Sequence, residues 1–273
     1  MKRTGCLLLL LCLALYGRAQ FIYNPLPVKG SDFKKIGALG YTRCSVYKTT
    51  DDAKILTQVA EYGAQGYLAI VFERGVNEAG DSINVREEDY KYGPGGRLDG
   101  ITFTDKETGE TDAPSAYTYD AKGRLIKRIV AVVDPPTYRY KYDAKGRLAE
   151  VNETQTLPAV DSAGTFTGKG FESPSRRYTY HYDAKGQLAE EWEYNLRSED
   201  KAKPEHKLIW TYSPQGQIVR LTHAGQSPST DTVITTYTYN EDGLLASSVV
   251  NDNGEQTIYS YEWCKGCKQS WMQ

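Results

Sequence analysis

The sequence has few of the side chains that enzymes and metal sites commonly use. It contains only three histidines, His181, His206 and His223, and none of them forms a pair with metal-ligand spacing. It has no Gly-x-Ser-x-Gly, Walker or His-Glu-x-x-His motif. The acid pairs Asp51-Asp52, Glu87-Glu88 and Glu190-Glu191 are interpreted as solvated strand ends. We therefore predict no enzyme activity, no catalytic residue, no cofactor-binding residue and no metal ligand.

Long apolar runs are also missing, apart from one at the N-terminus. Leu7 to Leu15 follow Lys2 and Arg3 and precede Gly17-Arg-Ala19, which is typical of a signal peptide over residues 1–19. The run is shorter than the ~20 residues that span a bilayer. Lipidation at Cys12 remains an alternative, although leucines precede it where small residues are expected. We predict an exported protein that meets the membrane only during export.

Neither basic charge nor cysteine is abundant. Without Lys2, Arg3 and Arg18, 30 basic residues face 35 acidic ones, for a net charge of −5. No basic stripe stands out, so nucleic acid is not expected as a partner. The cysteines that remain after the signal are Cys44, Cys264 and Cys267. In an oxidising compartment the candidate disulfide joins Cys264 to Cys267, and the alternative joins Cys44 to one of them. A redox-active Cys-x-x-Cys is disfavoured because no βαβ pattern surrounds it.

What the sequence does contain is a repeat. Tyr117-Thr-Tyr-Asp-Ala-Lys-Gly-Arg-Leu125 recurs at residues 140–148 and 180–188, and looser copies lie at 61–68, 90–98, 210–218 and 237–245. Tyrosines alternate with polar residues at period two, which predicts a strand. Asp143 begins a turn and Gly146 closes it at positive φ. This geometry predicts the pairs Asp143–Arg147, Tyr142–Leu148 and Tyr140–Glu150.

The repeats run nearly end to end, so we predict a single domain over residues 20–273. Its hairpin turns lie near residues 66, 96, 123, 146, 186, 216 and 243. The fold class is all-β, an antiparallel meander of serial hairpins in a long twisted or spiralling sheet, whose closure the sequence leaves open. Each turn aspartate stands alone, which argues against calcium. The structural turn residues are Asp120, Gly123, Arg124, Asp143, Gly146, Arg147, Asp183 and Gly186.

The connections at the opposite edge of the sheet differ from one another in length. The longest predicted loop runs from Thr156 to Pro174. Such loops carry binding sites on repeat scaffolds, and the alternative is a solvated connector. Before the repeats, residues 35–47 predict an opening strand, and Ala53–Tyr62 predicts a strand or a single helical turn.

The motif Tyr-x-Tyr-Asp-x-x-Gly-x-Leu resembles the YD repeat of Rhs-type proteins, teneurins and toxin-complex shells. The resemblance covers about residues 40–262. It implies hairpins laid side by side in a spiralling sheet that sometimes closes into a shell, and by analogy alone it suggests carbohydrate binding. Asp134-Pro135-Pro136 lies between repeats, and no toxin core can be carried over. The closer match is a short exported envelope protein of a Gram-negative bacterium.

From these features we expect a secreted, non-catalytic binding module or scaffold. It would lie in the periplasm, at the cell surface or outside the cell, and it would contact a glycan or an envelope protein. Three alternatives remain: a fragment related to Rhs toxin shells, a carbohydrate-active enzyme and an outer-membrane β-barrel.

Overall fold

The computed structural model describes residues 30–50, 53–76, 82–130, 136–160, 166–225 and 232–267. The predicted signal peptide lies outside these residues. Within these residues one α-helix, α1 (Gly30–Leu39), precedes sixteen strands, and a 3-10 turn lies at Pro94–Gly96. They are β1 (Tyr41–Thr50), β2 (Ala53–Tyr62), β3 (Leu68–Val76), β4 (Ser82–Tyr92), β5 (Leu98–Asp105), β6 (Ala116–Tyr119), β7 (Leu125–Ile129), β8 (Thr137–Tyr142), β9 (Leu148–Val160), β10 (Phe166–Tyr182), β11 (Leu188–Asn195), β12 (His206–Tyr212), β13 (Ile218–Ala224), β14 (Thr232–Tyr239), β15 (Leu245–Asp252) and β16 (Glu255–Lys265).

All sixteen strands belong to one antiparallel sheet, so the predicted fold class is confirmed. Every pair of sequence neighbours except β5 and β6 is hydrogen-bonded, and β1 also pairs with β16, which leaves β5 and β6 at the two edges. These edges are consecutive in the chain. The Ser115 N–H donates to the Ile101 carbonyl at 2.9 Å, and the Asp112 N–H donates to the Phe103 carbonyl at 2.9 Å. The sheet is therefore nearly closed, with a seam between β5 and β6.

The sheet has two different ends. Seven short connections, at residues 63–67, 93–97, 120–124, 143–147, 183–187, 213–217 and 240–244, form what we call the turn end. The other connections leave the strands at the opposite end, which we call the loop end, and their described residues are 106–115, 130, 136, 196–205, 225 and 253–254. Because adjacent strands run in opposite directions, the two kinds of connection alternate along the chain.

Each of the seven turn-end hairpins contains a β-bulge just after its turn. In the fourth, Tyr142 pairs with Leu148 and Lys141 pairs with Glu150, so Ala149 is left as the extra residue. The predicted pairing of Tyr140 with Glu150 is therefore wrong, since Tyr140 pairs with Val151. The extra residue shifts the alternation, which brings Leu148 and Val151 to the same buried face.

The inner face of the sheet is packed with the aromatic and aliphatic side chains of the repeat. One cluster lies around β1 to β5 and includes Cys44 and Val71. A second lies around β7 to β14 and includes Tyr178, which is 1% exposed, and Leu188, which is fully buried. Burying a Leu-sized side chain contributes roughly 1.5–3 kcal/mol, so these stripes supply the main driving force for folding.

A regular hydrogen bond joins five of the seven turn-end hairpins, the third to the seventh, to the hairpin before it. The second tyrosine of one repeat donates its hydroxyl to the carbonyl of the leucine or isoleucine that follows the previous turn, and we call this bond the staple. Its donors and acceptors are Tyr119 and Leu98 (2.7 Å), Tyr142 and Leu125 (2.7 Å), Tyr182 and Leu148 (2.8 Å), Tyr212 and Leu188 (2.8 Å), and Tyr239 and Ile218 (2.7 Å). Trp263 continues the series by donating its indole N–H to Leu245 at 2.8 Å.

The region before the first repeat differs in part from the prediction. The opening strand was expected over residues 35–47, but Gly30–Leu39 is helical and the strand begins at Tyr41. The helix ends at Gly40, which has φ 74, a value that favours glycine. Ile36 is fully buried against the first cluster, so tertiary packing stabilises this helix. Ala53–Tyr62 is a strand, the first of the two options.

In the part of the chain that the structure describes, no helix has the length and apolar character needed to cross a membrane.

The staple can be tested with Tyr142→Phe. This change removes only the hydroxyl, since the ring remains under the guanidinium of Arg124, 4.6 Å from its centroid. We expect the free energy of unfolding in urea to fall by about 1 kcal/mol, because the Leu125 carbonyl loses its donor. Tyr92→Phe is the control, since the Tyr92 ring stacks on Tyr67 without a hydroxyl bond to any described residue. An equal loss in both variants would contradict the staple.

Candidate functional site

The predicted turn residues form a compact hydrogen-bonded device. In the fourth hairpin Asp143 accepts the backbone N–H groups of Lys145 (2.9 Å) and Arg147 (2.8 Å) at Oδ1, and it accepts the Arg147 Nε–H (2.8 Å) at Oδ2. The Gly146 N–H donates to the Asp143 carbonyl at 2.9 Å. Gly146 has φ 78, where a Cβ would be strained. Both carboxylate oxygens are therefore occupied inside the turn.

The other two identical tetrads repeat this arrangement. Asp120 binds Lys122, Gly123 and Arg124 in the same way, and the Arg124 backbone N–H is the main cause that lowers the pKa of Asp120. Asp183 and Gly186 form the third turn. There Gln187 takes the place of the arginine, so one carboxylate oxygen of Asp183 accepts no hydrogen bond from a guanidinium group.

The arginines also connect neighbouring repeats. The guanidinium of Arg147 lies 4.3 Å from the ring centroid of Tyr182, and that of Arg124 lies 4.6 Å from Tyr142. These tyrosines are the staple donors of the next hairpin. The turn tetrads thus position the staple, and they present no unoccupied carboxylate to a ligand in the first two copies.

The cysteines lie close to the turn end. Cys264 and Cys267 form a disulfide, and the Cys267 carbonyl accepts a hydrogen bond from Thr42 Oγ1 at 3.2 Å. Cys44 is a free thiol on β1, cross-strand from Ala60 and Trp263. Burial raises the pKa of the Cys44 thiol far above its ordinary range, so it stays protonated and is a poor nucleophile.

The longest predicted loop is mostly a β-hairpin. Of the segment Thr156–Pro174, only residues 161–165 lie outside strands and outside the described residues. The register Phe171–Leu157, Glu172–Thr156 and Ser173–Gln155 continues the pairing of β9 with β10. The expectation of a loop is therefore corrected: β-branched and aromatic residues in this segment favour strand pairing in spite of its glycines and serines.

Hairpin β9–β10 extends well beyond both of its neighbours. β8 begins at Thr137, opposite Thr154, and β11 ends at Asn195, opposite Arg176. Among the described residues, 155–160 and 166–173 therefore pair only with each other, and we call them the projecting ribbon. Phe171 on the ribbon is 54% exposed. Glu172 accepts two bonds from the guanidinium of Arg139 on β8, at 2.7 and 2.9 Å, which holds the base of the ribbon against the sheet.

Sequence reasoning missed a group of charged residues on the inner face near the seam. Glu88, interpreted as part of a solvated strand end, is only 4% exposed, so that interpretation is wrong for this residue. Tyr90 donates its hydroxyl to Glu88 Oε2 at 2.6 Å, and Arg86 Nε lies 4.0 Å from Glu88 Oε1. Glu73 is 8% exposed, and its Oε1 has no hydrogen-bond partner. The only sequence signal for the burial of these carboxylates was that they occupy the same alternating strand positions as buried tyrosines and leucines.

The charges of this group act across the seam. Burial raises the pKa of Glu88 to about 6, while the Tyr90 hydrogen bond and the charges of Arg86 and Arg128 oppose that rise. Arg128 lies on β7, beyond the seam, where its guanidinium is 5.8 Å from the Tyr117 ring and 5.7 Å from the Tyr138 ring. Glu88 on β4 and Arg128 on β7 thus attract each other across the seam, although these two strands are not neighbours in the sheet.

The three histidines lie in two different places. The rings of His206 and His223 are 5.2 Å apart near the loop end, whereas His181 packs against Trp192 on another part of the sheet, at 4.2 Å. Within the described ranges, no group of three or more His, Cys, Asp or Glu side chains could hold a metal ion.

Comparison with known proteins identifies the fold. A porin-like protein from Bacteroides uniformis aligns with 82% of this chain and 98% of its own, at 14% identity and a TM-score of 0.52. A porin-like protein from Bacteroides vulgatus aligns over the same shares at 10% identity and a TM-score of 0.40. The toxin complex TcdB2–TccC3 aligns with 80% of this chain and 14% of its own, at 14% identity and a TM-score of 0.31. No family model and no curated protein matches the chain. At 14% identity, the similarity to the Bacteroides uniformis protein concerns the fold alone.

The buried carboxyl group of Glu88 predicts an unusual pH dependence. Its pKa is raised in the folded state, so its contribution to stability is fully present below the unfolded pKa of 4.5 and is lost as the pH rises through about 6. Glu88→Gln keeps an acceptor for Tyr90 and removes the charge. We expect the variant to gain roughly 1–2 kcal/mol over the parent at pH 8 and nothing at pH 4, measured by urea unfolding. A gain that does not change with pH would refute this cause.

Proposed function

We propose that the chain is a short, exported YD-repeat protein of the bacterial envelope, and that it binds a glycan or an envelope protein without catalysing a reaction. The staples and turn devices support the YD-repeat assignment, because they give a physical role to each recurring Tyr, Asp, Gly and Leu. The N-terminal signal in the sequence supports export. The binding surface that we propose is the projecting ribbon.

The observation that carries this proposal is the length of hairpin β9–β10. An isolated two-stranded ribbon is marginally stable in water, and this one extends beyond the sheet with neither edge paired to a described strand. It also exposes Phe171, a side chain that normally avoids water and recurs at binding surfaces. A partner that covers the Phe171 face would supply the packing that the ribbon lacks.

The prolines of the ribbon favour binding at its face over pairing at its edges. Pro158 lies in β9 and Pro174 lies in β10, at the base of the ribbon. Proline has no backbone N–H, so it interrupts the donor row that an added strand would need. Leu157 pairs with Phe171 across the ribbon and lies on the same face. We therefore expect the partner to contact these two side chains.

The outer wall of the sheet favours this proposal over a lipid-spanning barrel. A lipid-facing band presents apolar side chains, whereas the outward positions of β8 and β9 include Arg139, Lys141 and Glu150. Lys141 Nζ lies 2.7 Å from Glu150 Oε1, in an ion pair at the surface of the wall. If fractionation of the native cell recovered the protein only with detergent, this part of the proposal would be wrong.

The projecting ribbon can be removed without interrupting the sheet. Replacing residues 155–173 by Asn-Gly connects Thr154 to Pro174, its partner across the hairpin, through a two-residue turn. We expect the melting temperature to change little, and we expect retention of the mature protein on envelope glycans or in envelope pull-downs to be lost. Global unfolding of the truncated protein would contradict the ribbon as a separate binding element.

A point substitution gives a finer test of the same surface. Phe171→Ser removes the exposed aromatic ring, and Ile258→Ser on β16 is the matched control because Ile258 is 42% exposed. We expect Phe171→Ser to weaken the affinity for any partner found in the screen by at least tenfold, in the range of a central binding residue. We expect Ile258→Ser to leave it unchanged. Equal effects would show that general surface hydrophobicity, and not the ribbon, determines binding.

A further inference from the structure

The turn end carries a row of lysines that its turn chemistry does not use. Lys122, Lys145 and Lys185 occupy the same position of three consecutive hairpin turns, and all three are exposed. Their backbone N–H groups bind the turn aspartates, so the peptide groups beneath them are fixed. Their ammonium groups have no ion pair with any described residue. Since neighbouring strands lie ~4.8 Å apart, successive lysines stand about 10 Å apart.

The arginines of these turns do not compete for the same ligand. Arg124 and Arg147 pair with Asp120 and Asp143 at 2.7 Å and stack on tyrosines of the next repeat. The positive charge that remains at these tips therefore belongs to the lysines. In the sequence, residues 116–150 carry eight basic and four acidic side chains, a net charge of +4 in a chain whose total is −2.

The two ends of the sheet also differ in charge. The seven turn-end connections contain six basic and five acidic residues, a net charge of +1. The described residues of the loop-end connections include four basic and six acidic side chains, a net charge of −2. The basic residues there are Lys106, Arg197, Lys201 and Lys203. A molecule with this charge separation orients in an electric field, with its turn end toward negative charge.

We propose that the turn end docks on an anionic lipid surface and directs the loop end, with its projecting ribbon, away from the membrane. The turn tips end together at one rim of the sheet, so their lysines can meet one surface of phosphate groups. Basic side chains near an anionic leaflet attract it at about 1 kcal/mol each. The acidic loop end is repelled by the same surface, so both ends favour one orientation. This inference is independent of what the ribbon binds.

The test measures binding of the mature protein to vesicles at low ionic strength. We expect binding to phosphatidylcholine vesicles that contain phosphatidylglycerol and none to phosphatidylcholine alone. The triple variant Lys122→Gln, Lys145→Gln, Lys185→Gln should lose affinity on the order of 100-fold. The control Lys48→Gln, Lys201→Gln, Lys203→Gln makes the same change in net charge away from the turn end, and it should bind as the parent does.

Three results would overturn the proposal. Equal losses in the two triple variants would show that net charge alone matters. Indifference to phosphatidylglycerol would exclude an anionic surface. Equally tight, lysine-dependent binding to soluble polyaspartate would indicate a linear polyanion as the ligand in place of a lipid surface. Orientation is tested separately: an environment-sensitive dye on Ala144→Cys should respond to the vesicles, and one on Asn253→Cys should not.

Discussion

The hydrogen bond from a tyrosine hydroxyl to the leucine carbonyl of the preceding repeat determines how this structure is assembled. A tyrosine can reach that carbonyl only if the two hairpins keep the same register and if each turn has the same bulge. The turn itself requires glycine at positive φ, and the aspartate accepts hydrogen bonds from the N–H groups that the turn leaves unpaired. Each recurring residue of the motif therefore helps to maintain one hydrogen bond. Its length is 2.7 Å from the Tyr142 hydroxyl and 2.8 Å from the Tyr182 hydroxyl to the acceptor carbonyl.

Constant register at one end is also what allows the sheet to curve back on itself. Fifteen strand pairs form regular ladders, and only the β5–β6 seam depends on a few backbone bonds and on side chains. There Tyr119 still donates its hydroxyl to the Leu98 carbonyl, and the positive charge of Arg128 acts on Glu88 from the other side of the seam. The raised pKa of Glu88 shows that its desolvation outweighs this attraction. Charge at the seam is thus retained at a cost in stability, which is common for buried ionic groups.

The sequence predicted the strands and turns of the repeated hairpins, but it did not predict the features that lie outside the repeat. Strand alternation and the Asp–Gly spacing predicted the all-β meander, because both depend on neighbours within nine residues. The pairing of Tyr140 with Val151 was missed because a bulge after the turn leaves no local signature. The burial of Glu88 and the helix at Gly30–Leu39 were missed because both result from packing against strands distant in sequence. The glycines and serines of the ribbon are typical of a connector, and for this reason the sequence predicts a loop there.

The same constraint explains why the two ends have different properties. A turn at the turn end cannot be lengthened without moving a tyrosine away from its acceptor, so its variable positions are limited to solvent-facing side chains such as Lys145. A connection at the loop end positions no staple, so hairpin β9–β10 can extend past its neighbours while the wall beneath it stays in register. Length and shape can therefore vary only at the loop end, and charge alone can vary at the turn end. Binding that depends on shape is thus expected at the ribbon, and binding that depends on charge is expected at the turns.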